Sequence, residues 1–245
     1  MTLRPIFIPE YRIIKINSYK PLCHRKLGVL AIEKYGFLPF IDASCRREPD
    51  LENPFPSISA LCRQGNFAPH LRKHDIIVYM TTGGKFAPYK MGHHLIAILQ
   101  VQEIYETHEL GKDGYINAKL PIPNNCMVKE TQPFDFDKTA GGNMKASIIE
   151  KFLSLSSEAK ERANKELIKD WNNDYLQRSL DYQCFVKTTS LYVNLQTPTH
   201  LLKSDFEYIF GKLPNTRNPN IISENSFVKL AKIAGLDVTL GVKVS

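Results

Sequence analysis

No CxxC pair occurs in this sequence. Its five cysteines, Cys23, Cys45, Cys62, Cys126 and Cys184, are scattered along 245 residues. That spacing suits neither a zinc site nor a disulfide framework, so reduced thiols are expected. No apolar run approaches the roughly 18 residues that cross a bilayer, and no basic start leads into an apolar stretch of signal-peptide length. Neither membrane insertion nor secretion is expected, and the expected location is the cytoplasm. HExxH, GxSxG and Ser-His-Asp signatures are missing, which removes motif support for hydrolases of those types. Repeats and low-complexity tracts are missing too, and 13 Gly with 15 Pro are too few to suggest a disordered chain.

What is present is an ordinary folding composition, 43% hydrophobic and 23% charged, in a chain long enough to bury a sizeable core. The formal charge of +7 favours anionic partners, because clustered Lys and Arg attract phosphates and release counterions on binding. Nucleic acid or nucleotide is the leading partner class. An acidic protein partner is the competing one, and a mildly basic solvated surface explains the charge without any partner.

From Arg4 to Lys34, short apolar runs alternate with polar breaks and predict strands, the last run (Leu27 to Ile32) being also compatible with a helix. Tyr35-Gly36-Phe37-Leu38-Pro39 reads as a turn. A polar segment from Asp42 to Pro56 follows, and its prolines preclude continuous regular structure. Asp75 to Thr81 predicts a strand closed by Gly83-Gly84, and His94 to Thr107 predicts a second. In that second strand Leu95, Ala97, Leu99 and Val101 share one face. On the other, Ile96 and Ile98 give way to Gln100 and Gln102, so that face is expected to become wet.

Gly111 to Gly142 is rich in turn residues and predicts loop with short extended pieces. Helical spacing recurs from Met144 to Tyr182, broken at Ser156-Ser157 into two helices. Cys184 to Leu195 predicts a strand, and Thr199 to Phe210 a short extended run ending at Gly211. Glu224 to Ala234 predicts a final helix with Ser223 as N-cap and Gly235 as its stop. The expected fold is therefore α+β: a compact mixed sheet flanked by helices, one domain over residues 1–245 with a helical insertion at 144–182.

Two stretches hold candidate chemistry. The first carries Asp42, Arg46, Arg47, Glu48 and Asp50, then Ser57, Ser59 and Arg63. Paired arginines clamp a phosphate through their fork geometry, and Asp42, Glu48 or Asp50 can accept from a base amino group or act as acid or base. An Arg-carboxylate network that only pins the loop is the competing explanation. In the second stretch Arg72, Lys73, His74, Lys85, Lys90, His93 and His94 interleave with Phe67, Phe86 and Tyr89, a pattern suited to tracking phosphates while rings stack on bases. Gly83-Gly84-Lys85 lacks Walker spacing, and a hairpin explains both glycines.

No metal site is expected, since His93 and His94 are neighbours on a strand and point to opposite faces. No cofactor is indicated. The mixed charges from Lys145 to Arg178 suit a solvated face with i to i+4 pairing, and Trp171 suits a core anchor.

The Tyr35-Gly36-Phe37-Leu38-Pro39-Phe40 turn, the segment Phe67 to Tyr79, and the run His200 to Gly211 together resemble the nucleotide modification associated domains. These are bacterial and phage proteins linked to DNA base modification and to conflict with phages. The likeness spans Tyr35 to Gly211, with His74 standing where the family tends to have Gly before the strand's Asp. The Asp-led strand followed by a longer apolar strand also resembles PUA-like domains. Those fold as a small, partly closed barrel with helices and admit a flipped base to an aromatic pocket.

These resemblances imply a domain that recognises or helps to process modified DNA nucleotides, in phage defence. Arg46, Arg47, Arg63, Arg72, Lys85 and Lys90 would then meet phosphate, and Phe55, Phe67, Tyr79 and Tyr89 would line a base pocket. An enzyme using Asp42, Glu48 or Asp50, and a basic scaffold for an acidic protein, are the alternatives.

Overall fold

Residues 76–81 read Ile-Ile-Val-Tyr-Met-Thr, five β-formers and a closing Thr, and all six are buried. A run that is apolar on both faces belongs in the middle of a sheet, where strands lie on either side. The structure, a computed structural model, describes residues 3–24, 26–43, 47–62, 65–83, 92–129, 156–170, 176–211 and 220–245. It is mixed α+β. The strands are β1 (Arg4–Tyr11), β2 (Ile14–Tyr19), β3 (Ser57–Ser59), β4 (Ile76–Thr81), β5 (His93–Tyr105), β6 (Phe185–Val193), β7 (Thr199–Leu201), β8 (Asn220–Ile221) and β9 (Leu236–Lys243). The helices among the described residues are α1 (Lys26–Tyr35), α2 (His108–Asn117), α3 (Ser157–Asp170), α4 (Gln177–Asp181), α5 (Lys203–Phe210) and α6 (Glu224–Ile233). None of them is long and apolar enough to cross a membrane.

The residues group into two compact units, each assembled from separated segments. The first holds Met1–Lys20, Leu71–Glu103 and Thr188–Ser245, and the second Pro21–His70 and Ile104–Lys187.

In the first unit β2 runs parallel to β4, with Ile14 opposite Ile76 and Ile16 opposite Val78. β4 is antiparallel to β5, with Ile77 opposite Leu99 and a register shift between Tyr79 and Met80. β7 pairs with the start of β5, and the short β8 with β2. β1 and β9 form a separate parallel ribbon. Ile8, Tyr11, Leu236 and Val238 of that ribbon join Ile14, Ile76, Val78, Leu95 and Ile98, closed over by Phe206 of α5 and Phe227 and Leu230 of α6. Each such side chain contributes roughly 1.5–3 kcal/mol by leaving water.

The Arg4 amide donates to the Gly235 carbonyl at 2.9 Å. In a parallel ladder this turns the Arg4 amide toward β9 and leaves Pro5 on the outer edge, where a missing N–H breaks no pair and discourages further strands.

Gln100 belongs to the face expected to become wet, yet it is 7% exposed. Its side-chain amide donates to the Glu10 carbonyl, so a polar side chain is buried with its partner supplied. His74 takes φ +70°, so the left-handed turn that a glycine would make most easily is made here by histidine. Its ring lies 3.3 Å from the Glu10 carboxylate. The predicted extended run at Thr199 to Phe210 is β7 followed by helix α5. Asp205 accepts from the Leu202 amide at 2.6 Å to start that helix, and Gly211 at φ +71° ends it. α6 has its expected Ser223 cap, the hydroxyl accepting from the Ser226 amide. β9 had no counterpart in the sequence reading.

In the second unit β3 is antiparallel to the first residues of β6, with Ser57 opposite Lys187 and Ser59 opposite Phe185. Tyr115, Cys126, Val128 and Phe185 form its buried cluster with Phe55, Tyr105 and Leu120 packed against it. The four described cysteines, Cys23, Cys62, Cys126 and Cys184, are buried free thiols. Of the predicted helical insertion, α3 and α4 lie among the described residues, whereas 144–155 and Trp171 lie outside them.

The expected loop from Gly111 is instead helix α2, capped by Thr107, whose side chain accepts from the Leu110 amide at 3.1 Å. Its glycines misled the sequence reading because they serve close packing: a side chain on Gly111 would run into Phe185, and one on Gly114 into Tyr105. Gly111→Ala therefore tests packing against propensity. A β-carbon would sit 2.9 Å from Phe185 Cγ, and that ring is 0% exposed with nowhere to go. The helix gains about 1 kcal/mol from Ala but overpacking costs about 1–3 kcal/mol. The expected net loss is on the order of 1 kcal/mol in chemical denaturation, and a stabilised variant would show that Phe185 yields.

Candidate functional site

The segment from Asp42 to Ser59 lies wholly within the second unit. Pro49, Pro54 and Pro56 deny regular structure to the part before β3, so the backbone there is held by side chains instead. Arg47 adopts φ +55°, and the Glu48–Pro49 bond is cis. The Glu48 amide donates to Asp42 Oδ1 at 3.1 Å, and Asp50 bridges back to Ser57.

Glu48 turns its carboxyl inward. The Ser59 amide donates to Oε1 at 2.8 Å, the Ser59 hydroxyl lies 2.5 Å from Oε2, and Asn125 Nδ2 donates to Oε2 at 3.2 Å. Asn125 also donates to the Ser57 carbonyl at 3.0 Å and accepts from the Ser57 hydroxyl. Asp50 Oδ2 accepts from the Asn124 amide at 2.7 Å and from its side chain at 3.2 Å. Ser57, Ser59 and Asn125 are 0% exposed and Asp50 is 1% exposed. The sequence reading named Asp42, Glu48, Asp50, Ser57 and Ser59 as candidates, and these residues are linked in the fold by hydrogen bonds and a bridge. It gave no weight to Asn124-Asn125, which read as a turn. The signal was there: two adjacent amide side chains match carboxylates whose oxygens must be satisfied once buried.

Burial holds Glu48 well above the usual carboxyl range, at about 8, a rise to which the Asp42 charge adds and which the Ser59 and Asn125 hydrogen bonds oppose. Burial likewise lifts Asp50 to about 6, against the pull of the Asn124 amide. At neutral pH Glu48 is therefore a neutral carboxylic acid that can donate a proton, while Asp50 is mostly ionised. Two acidic groups with separated pKa values are a usual arrangement for acid–base work.

Arg47 has a different role from the phosphate contact expected of it. It is 7% exposed, its Nε pairs with Glu52 at 2.8 Å and its Nη1 donates to the Asp42 carbonyl at 3.1 Å. The guanidinium also lies over the Phe37 ring at 5.6 Å. That is the loop-pinning network, and its donors face inward. Arg72, in the first unit, has an exposed side chain whose Nη1 donates to the Leu71 carbonyl at 2.8 Å. Arg46, Arg63, Lys85, Lys90 and Tyr89 lie outside the described residues.

Two of the described aromatic candidates are buried in the core. Phe67 and Tyr79 are each 1% exposed, Tyr79 edge-on to Tyr19 at 6.0 Å. Phe55 is half-buried, with Lys187 Nζ 5.9 Å from its ring centre. Among the described residues no group of three His, Cys, Asp or Glu side chains could hold a metal. His93 bonds the Thr81 carbonyl at 2.8 Å, whereas His94 faces His200 at 5.0 Å between ring centres. His108 accepts from the Met127 amide at 3.0 Å.

No protein-family model matches the chain, and no curated protein or solved structure matches it.

Proposed function

We propose that this is a nucleic-acid-associated protein that recognises or helps to process modified DNA nucleotides, with Glu48 as the group of the second unit that meets the base. The observation that carries the reading is the neutral, hydrogen-bonded Glu48 carboxyl, raised to about 8. A carboxylic acid offers a donor beside an acceptor, as a base edge does, whereas a carboxylate offers acceptors alone. The excess of seven positive charges supports an anionic partner. The resemblance to nucleotide modification associated domains and to PUA-like modified-base readers, and a place in phage defence, belong to the same proposal.

Binding of the purified chain to modified and unmodified oligonucleotides across a salt series tests it. Affinity for the modified strand is expected to exceed that for the unmodified one and to fall steeply with salt, with a slope of about −0.7 per phosphate neutralised on single strands. Equal affinities, or indifference to salt, would remove the reading.

The separation of Glu48 and Asp50 favours processing over recognition alone as a second reading. Glu48→Gln then abolishes turnover while binding persists; unchanged turnover removes Glu48 from the chemistry.

A further inference from the structure

We infer that the first unit carries a separate site for a nucleoside monophosphate, in an open cavity of about 380 Å³ between the start of β2 and the first turn of α6. The volume lies in the range of small-ligand sites, roughly 300–1,000 Å³. Its walls divide by chemistry. Ile13 and Ile222 give an apolar surface for a flat ring, and Arg12 and Lys243 bring two cations. Among the described residues neither cation is engaged in a side-chain ion pair or hydrogen bond.

Two cations match the charge of about −1.5 to −2 on a phosphate monoester, and the Arg12 fork suits its oxygens. Glu224 lines the same cavity beside Tyr11. Its carboxylate repels a second phosphate but accepts from a sugar hydroxyl or base amino group, which favours a monophosphate over a triphosphate. The inference stands independently of the Glu48 site.

Titration calorimetry of the full chain with dCMP, dAMP, the matching deoxynucleosides, ribose 5-phosphate and inorganic phosphate tests it. The nucleotides are expected to bind at least about tenfold tighter than the nucleosides, the sugar phosphate or phosphate alone, since losing one charged contact costs on that scale. Arg12→Gln and Lys243→Gln each weaken nucleotide binding by about tenfold. The wild-type ranking tests the site without any variant. Phosphate binding as tightly as the nucleotides, affinity untouched in the double variant, or no nucleotide binding at millimolar concentration would each overturn it.

Discussion

Between pH 6.5 and 8 the unfolding free energy of the wild-type chain is expected to fall by about 1 kcal/mol per pH unit, and that of Glu48→Gln to stay level. An unfolded glutamate ionises near its ordinary value of 4.5, whereas folded Glu48 holds its proton up to about 8. Through that interval the folded state binds the extra proton, so raising the pH favours unfolding; the contribution is complete below 4.5 and lost through 8. Asp50, lifted from 3.8 to about 6, acts in the same direction at lower pH. Buried His94, depressed from 6.5 to about 4 by burial and by His200 and His93, acts in the opposite direction over its own range. From pH 6.5 to 8 the two change the stability by only about 0.2–0.4 kcal/mol each, in opposite directions, and so nearly cancel. Denaturant titrations in half-unit pH steps measure the slope, and parallel curves for wild type and Glu48→Gln would show that Glu48 is ionised in the fold.

Asn125→Ala is expected to cost about 3 kcal/mol, and Asn124→Ala about 1 kcal/mol or less. The two residues are neighbours of the same type, yet their hydrogen bonds differ in what survives truncation. Asn125 is 0% exposed, and its side chain makes all of its bonds to Ser57 and Glu48. Removing it leaves the buried Ser57 hydroxyl short of a partner, takes one donor from Glu48 and one from the Ser57 carbonyl, which keeps the Asp50 amide at 3.3 Å. Asn124 holds Asp50 chiefly through its backbone amide at 2.7 Å, which Ala retains. Losing an Asn125 donor also pushes the Glu48 pKa further up, so the decline in stability extends to higher pH. Equal losses at the two positions would show that the amide pair acts as a unit.

Both results bear on the working of the 42–59 loop, because a site that is also the loop's fastening cannot be altered without a stability effect. Activity and folding must therefore be read together. Glu48→Gln, which copies the neutral acid in shape, is the variant that separates them.

The α+β class, β4, β5, β6 and the capped helix α6 were legible in the sequence, because each rests on local chemistry: β-branched runs, a Ser before a helix, a Gly after it. The polar 42–56 segment was legible as irregular from its prolines, and as chemically rich from its carboxylates. Contacts distant in sequence decided the rest. Gly111 and Gly114 read as turn residues until Phe185 and Tyr105 fill the space beside them, and Gln100 reads as wet until the Glu10 carbonyl meets it. The basic charge and the trio Asp42, Glu48 and Asp50 were fixed by sequence alone. Which of them is an acid was decided only by tertiary structure, since a carboxyl's pKa depends on the water it loses and on the Ser59 and Asn125 donors it gains.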